Sequence, residues 1–369
     1  MTGKTLREDR RLRRSPFTHL AEAAGASGWT IYNHMLLPVI YRSAQEDYAH
    51  LKRAVQVWDV AAERQVEVTG PDAAALVQAL TPRRVHDAKV MRCYYVPIVD
   101  RDGMMLNDPL LLRPDEERWW LSIADSDVTL MAKGFAAGRK LDVTITEPDV
   151  NPLAVQGPRA NELMGRVFGS EVADLKFFAA GRFPFEGKQL IVARSGWSGQ
   201  GGFEIFVEGT DICEPLWHAL FEAGEDLDVR AGCPNGIERI EAGLLSYGND
   251  MTAQDDPFEC GLARYVDEGT DCIANDALRA RVEPSRKLRG LLIDGDPLPG
   301  LTSNWIVNGT EGRAGHVTSA ANSPDHGRGI GIAMLDRRFW DVGTSVTVAC
   351  PDGPRAATVA DLPLRPPAT

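Results

Sequence analysis

Apolar and polar positions alternate along much of the chain in short segments that are joined by tight turns to helices. In Gln65–Thr69 two valines alternate with polar side chains, a two-residue period that is typical of a strand with one buried face. Pro71 follows Gly70 at a place that suits the first turn of a helix, and the apolar segment Ala73–Leu80 comes next. We therefore predict a strand, a turn and a helix in direct succession.

The same order recurs further along the chain. The segment Leu153–Arg159 contains an apolar strand pattern and a second Gly-Pro pair, and Ala160–Phe168 follows with the spacing of a helix. This recurrence predicts an internal repeat of two related α+β modules.

Helical spacing of apolar residues predicts two more helices, at Gln45–Val57 and at Gly236–Tyr247. Alternating segments elsewhere in this part of the chain predict strands. These strands are Tyr94–Val99, Leu110–Arg113, Trp119–Ile123, Asp142–Thr146, Gln189–Ala193 and Phe203–Val207.

The pattern changes after Lys287, where short strands are separated by glycine and proline turns and helical spacing is no longer found. This change predicts a separate C-terminal β-barrel domain. Its predicted strands are Leu288–Ile293, Trp305–Asn308, Gly315–Ser319, Gly329–Met334, Ser345–Ala349 and Arg355–Ala360.

Composition is typical of a globular protein with more than one domain. Of the 369 residues, 44% are hydrophobic and 25% are charged, and the length is about two to three times that of a common domain. The formal net charge of -12 disfavours nucleic acid as a partner, because the phosphate backbone binds basic surfaces. No apolar run approaches the roughly 20 residues that cross a bilayer, so we expect no membrane partner.

The cysteines and histidines do not follow the spacings of common metal sites. The six cysteines are scattered without a C-x-x-C pair, and the seven histidines include no H-E-x-x-H motif. We expect reduced thiols, a cytoplasmic location and no bound metal.

Four polar clusters interrupt the apolar pattern and are candidates for a functional site. They are Asp102–Pro109, Gly201–Ile205, Tyr247–Met251 and Gly315–Ser319.

Together with five ordered motifs, these clusters make the chain resemble the glycine cleavage T-protein (aminomethyltransferase) family. A single such motif is weak, but five in the same order are specific. The motifs are Tyr32–Pro38, Val57–Val60, Val68–Ala73, Arg239–Gly243 and Tyr247–Asp250.

Within that family the chain is most similar to the tetrahydrofolate-dependent dimethylsulfoniopropionate demethylases. This similarity rests on Tyr32–Pro38, Trp119–Asp127, Cys233–Asn235 and Asn249–Thr252. It implies an α+β protein of three domains arranged as a ring, or cloverleaf, around a central folate channel, with a C-terminal β-barrel as the third domain.

The resemblance also implies the limits of the domains. Domain 1 is expected at residues 1–55 and 145–230 as a discontinuous folate-binding module. Domain 2 is expected at 56–144 and 231–282, and the barrel at 283–369.

Two positions depart from the pattern of the true aminomethyltransferases. Where those enzymes carry an Asp-Asp pair this chain has Asn107 and Asp108, and where an arginine precedes the Arg239 helix it has Asn235. These departures count against glycine-cleavage chemistry and against a lipoyl-protein partner.

Asp108 is the expected catalytic residue, because the catalytic aspartate of the family falls on it. Its Asn-Asp-Pro setting is equally good turn chemistry. A fixed carboxylate would stabilise the positive charge that arises on N5 of tetrahydrofolate when the methyl group arrives, and would help to remove the N5 proton.

Glu204 is the expected pterin ligand. The two-residue period of Phe203–Val207 places Glu204 on the face opposite to its apolar neighbours, a position that also fits a solvent-facing glutamate. One carboxylate can accept hydrogen bonds from both the ring N–H and the exocyclic amino group of a pterin, and the matching glutamate of the family binds the pterin. We expect Tyr95 and Tyr247 to contribute to the cofactor site as well, although Tyr247 also fits an ordinary helix C-terminal turn.

A sulfonium donor is a soft cation, so its pocket should present aromatic ring faces within about 6 Å of the charge. Trp197 is the first candidate, because it lies in the glycine-flanked loop Ser195–Gly199. Phe178 and Tyr32 are further candidates for substrate binding, and each aromatic residue also fits a core position.

These expectations combine into a tetrahydrofolate-dependent demethylase that methylates N5 of tetrahydrofolate from a small-molecule donor, with dimethylsulfoniopropionate favoured. A demethylase of another onium or methoxy compound, a glycine-cleavage aminomethyltransferase and a non-catalytic folate-binding protein stay open as alternatives. A homodimer is a further expectation.

Overall fold

The computed structural model describes residues 9–364, so the predicted domain limits at residues 1 and 369 lie outside the described residues. The described chain contains helices and mixed sheets, which confirms the α+β class. The helices are α1 (Thr18–Ala23), α2 (Ala44–Leu51), α3 (Ala73–Leu80), α4 (Val128–Arg139), α5 (Ala160–Phe168), α6 (Cys213–Ala223), α7 (Gly236–Glu241) and α8 (Asn275–Arg279).

The described chain up to Gly232 carries the strands of the α+β modules. They are β1 (Gly28–Tyr32), β2 (Met35–Ile40), β3 (Val55–Asp59), β4 (Gln65–Thr69), β5 (Cys93–Tyr95), β6 (Ile98–Val99), β7 (Met105–Asn107), β8 (Leu110–Leu112), β9 (Arg118–Ser122), β10 (Thr144–Thr146), β11 (Val150–Gln156), β12 (Ala180–Phe185), β13 (Lys188–Ala193), β14 (Gly202–Glu208) and β15 (Val229–Gly232).

The C-terminal part carries the strands of the barrel. They are β16 (Arg286–Ile293), β17 (Trp305–Gly309), β18 (Gly312–Ser323), β19 (Arg328–Asp336), β20 (Ser345–Cys350) and β21 (Gly353–Ala360). Short 3₁₀ turns lie at Ser170–Asp174, Glu225–Leu227 and Ala263–Tyr265.

The chain divides into two compact units. Unit 1 comprises the described residues up to Arg64 together with Pro148–Gly196 and Gln200–Cys233. Unit 2 comprises Gln65–Glu147, Trp197–Gly199 and the described residues from Pro234 onward. Strand β3 belongs to the central sheet of unit 1, and the predicted limits of the individual domains stay predictions. The three-domain division itself stays a prediction.

Unit 1 is built on a six-stranded sheet in the order β12-β13-β14-β11-β3-β15. Strands β1 and β2 form a separate two-stranded sheet. Helices α5 and α6 pack their apolar sides on one face of the six-stranded sheet. The core there includes Phe203, Ile205 and Val207 of β14. The predicted two-residue period of that strand is thus confirmed, and Glu204 faces the other way.

Unit 2 contains a five-stranded sheet in the order β10-β4-β9-β8-β5, a small β6-β7 pair and a closed barrel of β16-β19-β18-β17-β20-β21. The barrel has the six strands that the sequence predicted. Its interior is filled by apolar side chains such as Leu291, Val317 and Val348, which excludes a water-filled pore.

The two Gly-Pro turns adopt the same conformation, as the predicted repeat requires. Gly70 has φ +111° and Gly157 has φ +121°, in the region that favours glycine. A Cβ at Gly70 would lie 2.6 Å from the carbonyl oxygen of Asp142, and one at Gly157 would lie 2.4 Å from that of Ala54. Only glycine fits either turn.

Two predicted helices are shorter than expected. The helix predicted at Gln45–Val57 ends at Leu51, because Val55–Asp59 is buried on both sides as β3, where it pairs with β11 and β15. Tyr48, Leu51, Ala54 and Val55 are all buried apolar residues at helical spacing, so the apolar pattern continues past the end of the helix into the strand.

The helix predicted at Gly236–Tyr247 ends at Glu241. Gly243 has φ +66°, and the amides of Gly243 and Leu244 donate to the carbonyls of Ile240 and Arg239. This is a Schellman motif, which stops a helix by satisfying its last carbonyls.

Within the described range no helix has the length and apolar character that crossing a bilayer requires.

Candidate functional site

Asp108 lies in the turn that connects β7 to β8 in unit 2, and Asn107 fixes this turn. Asn107 is fully buried. Its amide nitrogen donates to the carbonyl of Ala124 at 3.0 Å and to Ser126 Oγ at 2.7 Å, while its Oδ1 accepts from the amides of Ala124 and Asp108. Asp108 thus lies in an ordered turn, as its Asn-Asp-Pro setting predicted, and its catalytic role stays a prediction.

The Asp108 carboxylate is held by a tyrosine on the neighbouring strand. Tyr95 Oη, at the end of β5, donates to Asp108 Oδ2 at 2.8 Å. Burial raises the pKa of Asp108 to about 7; the hydrogen bond from Tyr95 opposes that rise, and the negative charge of Asp250 adds to it. Asp108 can therefore exchange a proton near neutral pH, which suits a general acid or base.

Tyr247 belongs to the same neighbourhood in unit 2. Its hydroxyl donates to the carbonyl of Met105, two residues before Asn107, at 3.4 Å. Burial raises the pKa of Tyr247, and the charge of Asp108 raises it further. The structure thus brings together Asp108, Tyr95 and Tyr247, three of the residues that the sequence singled out.

A buried ion pair lies next to this group, and the sequence assigned it no role. Asp250 is 2% exposed, and its Oδ2 accepts from Arg239 Nη1 at 2.7 Å. Its Oδ1 accepts from Thr318 Oγ1 at 2.7 Å and from Ser319 Oγ at 2.5 Å, both on β18 of the barrel. The polar clusters 247–251 and 315–319 of the sequence are therefore one hydrogen-bonded network.

Trp197 packs against the cation of this network. The Arg239 guanidinium carbon lies 5.6 Å from the centroid of the Trp197 ring, and the ring is half-buried. One ring face is thus matched to a fixed positive charge, which orients the indole.

Glu204 occupies the centre of the six-stranded sheet in unit 1. It is 8% exposed, so it is not the solvent-facing glutamate that its strand pattern also allowed. Ser195 Oγ donates to Glu204 Oε2. Burial raises the pKa of Glu204, and the hydrogen bond from Ser195 opposes that rise.

Phe178 and Tyr32 also lie in unit 1. Phe178 has φ +62°, a strained conformation for a bulky residue, and its ring stacks on that of Phe177 at a centroid distance of 4.2 Å. Tyr32 ends β1 and packs on Met35, Leu37 and Ala62. The roles of both aromatic residues in substrate binding stay predictions.

Among the residues that the structure describes, no three His, Cys, Asp or Glu side chains are placed to hold a metal ion. Asp108 and Asp250 in unit 2 and Glu204 in unit 1 each accept a hydrogen bond from a hydroxyl group.

Comparison with known proteins adds a relationship over nearly the whole chain. A GCVT N-terminal domain matches residues 17–269, and a glycine cleavage T-protein C-terminal barrel domain matches residues 286–364. A protein named dimethylsulfoniopropionate demethylase DmdA, from Ruegeria pomeroyi, is 51% identical over 354 residues, which cover 95% of this chain and 97% of that protein.

A more distant relative and a solved structure are also similar to this chain. An aminomethyltransferase from Symbiobacterium thermophilum is 31% identical over 374 residues, with 95% of this chain and 97% of that protein covered. The solved structure of glycine cleavage system aminomethyltransferase T from Bartonella henselae superposes with a TM-score of 0.83 at 23% identity, covering 96% of this chain and 98% of that one. This last likeness shows that the fold is shared.

Proposed function

Because this chain belongs to the glycine cleavage T-protein family, we propose that it is a tetrahydrofolate-dependent demethylase whose donor is a sulfonium compound, with dimethylsulfoniopropionate favoured. Its family membership confirms the resemblance that the motifs indicated. The products are 5-methyltetrahydrofolate and methylmercaptopropionate.

One observation carries this proposal: the 51% identity to a dimethylsulfoniopropionate demethylase extends over 95% of this chain and 97% of that protein. The aminomethyltransferase relative is covered as fully but is only 31% identical. The similarity therefore favours methyl transfer over aminomethyl transfer.

The two positions that depart from the aminomethyltransferase pattern support the same choice. The Asn107 amide donates two hydrogen bonds, which an ionised aspartate has no hydrogen to make. Asn235 caps α7: its side-chain Oδ1 accepts from the backbone N–H of Ile237, and its backbone N–H donates to Glu238 Oε1. Both asparagines are built into the local structure of unit 2.

The residues of unit 1 fit a pterin. The Glu204 carboxylate is buried and accepts one hydrogen bond from Ser195, while an ionised carboxylate can accept about four. It would accept the ring N–H and the exocyclic amino group as a bidentate pair. Each charged hydrogen bond formed in this way is worth about 1.5 to 3 kcal/mol.

Asp108 serves the chemical step. Bound tetrahydrofolate supplies the secondary amine N5 that accepts the methyl group. The carbon–sulfur bond of the donor breaks with its electron pair staying on sulfur, the N5 lone pair forms the new carbon–nitrogen bond, and the N5 proton is released. Asp108 stabilises the positive charge at N5 and accepts this proton, and its pKa of about 7 allows it to pass the proton on to solvent.

The donor side is assigned to aromatic residues. Trp197 has one face against the Arg239 guanidinium, so the opposite face would receive the sulfonium cation. Phe178 and Tyr32, in unit 1, are proposed to bind the donor as well, and Tyr95 and Tyr247, in unit 2, to contact the folate.

Three further expectations stay predictions from the sequence: a homodimer, a cytoplasmic location and the lack of a nucleic-acid partner. The six cysteines, all buried free thiols, support the second of them.

Formation of 5-methyltetrahydrofolate from a panel of donors tests the proposal. The panel contains dimethylsulfoniopropionate, glycine betaine, a methoxyaromatic acid and, for the glycine-cleavage alternative, an aminomethyl-lipoyl protein. We expect turnover with the sulfonium compound and at least about 100-fold lower kcat/KM with the others, a difference of about 2.7 kcal/mol in transition-state binding. Faster turnover with another donor would replace the sulfonium assignment, and binding of tetrahydrofolate without turnover would leave a non-catalytic folate-binding protein.

A further inference from the structure

Arg83 contacts two other segments of unit 2, strand β5 and the segment that carries Tyr265. Its Nη1 donates to the carbonyl of Tyr95 at 2.6 Å. Its guanidinium carbon lies 5.3 Å from the centroid of the Tyr94 ring and 5.0 Å from that of the Tyr265 ring. One half-buried cation therefore contacts the backbone of β5 and two aromatic rings.

Tyr265, which contacts Arg83, also packs against the ring of Tyr95. The two rings meet edge to face, with their centroids 5.1 Å apart and their planes at 65°, a preferred geometry for aromatic pairs. Tyr95 is thus held at its backbone by Arg83 and at its ring by Tyr265. Its hydroxyl, at the far end of the ring, donates to Asp108.

The chain around Arg83 is also fixed to the segment that carries Tyr265. The amide of Asp267 donates to the carbonyl of Pro82 at 3.0 Å, and the amide of Arg84 donates to Asp267 Oδ2 at 2.7 Å. These bonds connect residues on both sides of Arg83 to a residue two positions after Tyr265. The Arg83–Tyr265 contact therefore has a rigid base.

We propose that Arg83 is a positioning residue, which acts with Tyr265 to hold Tyr95 in the orientation that directs its hydroxyl to Asp108. The inference rests on the proposed methyl-transfer function only for its activity readout. Arg83 does not contact the reacting atoms, and its effect on the reaction passes through Tyr95.

A double-mutant cycle tests whether Arg83 acts through the Tyr95 hydroxyl. Arg83→Met should lower kcat by about 10- to 100-fold, the range expected for a small misplacement of a group at the reacting centre. In a Tyr95→Phe background the same substitution should change kcat by less than about 2-fold, because the hydroxyl that it positions is gone. Multiplicative losses in the double variant would overturn the proposal.

The pH profile of kcat gives a second readout. The hydrogen bond from Tyr95 lowers the pKa of Asp108 and the negative charge of Asp250 raises it, while Tyr247 and Cys260 are further titratable groups that feel the charge of Asp108. Arg83→Met should therefore move the midpoint of the profile to higher pH. An unmoved midpoint together with an unchanged kcat would contradict the proposed role.

Three variants of the neighbouring residues serve as controls. Tyr265→Phe keeps the ring and should retain wild-type kcat. Tyr265→Leu removes the ring and should lower kcat as much as Arg83→Met does. This second variant tests the same contact if Arg83→Met does not fold. Arg264→Gln removes an exposed guanidinium from over the same ring and should leave kcat unchanged. A loss in Arg264→Gln equal to that in Arg83→Met would assign the effect to charge rather than to positioning.

Crystal structures of the wild type and of Arg83→Met provide a test without turnover. The distance from Tyr95 Oη to Asp108 Oδ2 should lengthen beyond hydrogen-bonding range in the variant. A retained hydrogen bond would refute the positioning role even if the enzyme used no sulfonium donor. Failure of the donor panel in the wild type would instead refute only the proposed function.

Discussion

Asp108 and Glu204 share an unusual setting for carboxylates. Each is raised in pKa by burial, and each accepts a hydrogen bond from a neutral hydroxyl, from Tyr95 and Ser195 respectively. A hydroxyl stabilises a carboxylate without cancelling its charge, whereas an arginine would neutralise it. In both positions burial disfavours the charged form and the hydroxyl partner partly offsets that effect.

Replacement of Glu204 by Gln should weaken tetrahydrofolate binding. The amide keeps the shape of the side chain but loses the charge that the pterin donors require, so the Kd should rise by about 10- to 100-fold, as expected for the loss of a charged hydrogen bond. Isothermal titration of the variant measures this change. Glu208→Gln, at the exposed end of the same strand, is the matched control, and an unchanged Kd in Glu204→Gln would remove Glu204 from the pterin site.

At this scale the sequence could place Glu204 on the correct face of its strand, because a period of two determines the face. It could not tell whether that face is buried. The partners of Asp250 on β18 lie 68 and 69 positions further along the chain, and no local pattern links residues so far apart. The polar composition of both clusters was the only signal that could have connected them.

Local signals identified the starts of the four predicted helices better than their ends, and α1, α4, α6 and α8 were not predicted. The segments predicted at Ala73–Leu80 and Ala160–Phe168 agree with α3 and α5 residue for residue. The end of α2 was wrong because the helical spacing of buried apolar residues continues through Ala54 into Val55 of β3. The end of α7 was wrong because Gly243 stops the helix in an otherwise apolar run. Burial by neighbouring strands and a left-handed glycine both lie outside what apolar spacing reports.

Helix α2 carries a buried histidine that should make the stability of unit 1 depend on pH. His50 is 1% exposed; its Nε2 lies 2.8 Å from the carbonyl of Asp228 and its Nδ1 lies 3.2 Å from the Gln56 amide nitrogen. A neutral ring donates at Nε2 and accepts at Nδ1, so it satisfies both contacts. Burial lowers the pKa of His50.

The sign of the pH effect follows from this lowered pKa. Below about pH 6.5 the unfolded chain binds a proton at His50 that the folded chain resists, so the free energy of unfolding should fall as pH decreases. Urea denaturation at pH 8 and pH 5.5 should show a smaller difference for His50→Gln than for the wild type. His218→Gln, an exposed histidine on α6, is the control, and equal differences in wild type and His50→Gln would contradict this account.

For the whole molecule, the sequence alone predicted the α+β class, the repeated Gly-Pro module and the C-terminal barrel. These features are set by local periodicity and by turns that only glycine can form, as Gly70 and Gly157 show. The boundary between the units is harder to predict from the sequence, because β3 joins a sheet whose other strands come from distant parts of the chain. The assignment of a donor needs more than a fold, since relatives with different names share this architecture.

Single-turnover formation of 5-methyltetrahydrofolate by Asp108→Asn tests whether Asp108 acts in methyl transfer to N5. The reaction uses dimethylsulfoniopropionate with a labelled methyl group, so that the label identifies the transferred carbon. Because positive charge develops at N5 only as the methyl group arrives, the rate should fall by on the order of 100-fold or more while the Kd values of both substrates stay close to wild type. A wild-type rate in the folded variant would contradict the account and leave Asp108 as a turn residue between β7 and β8.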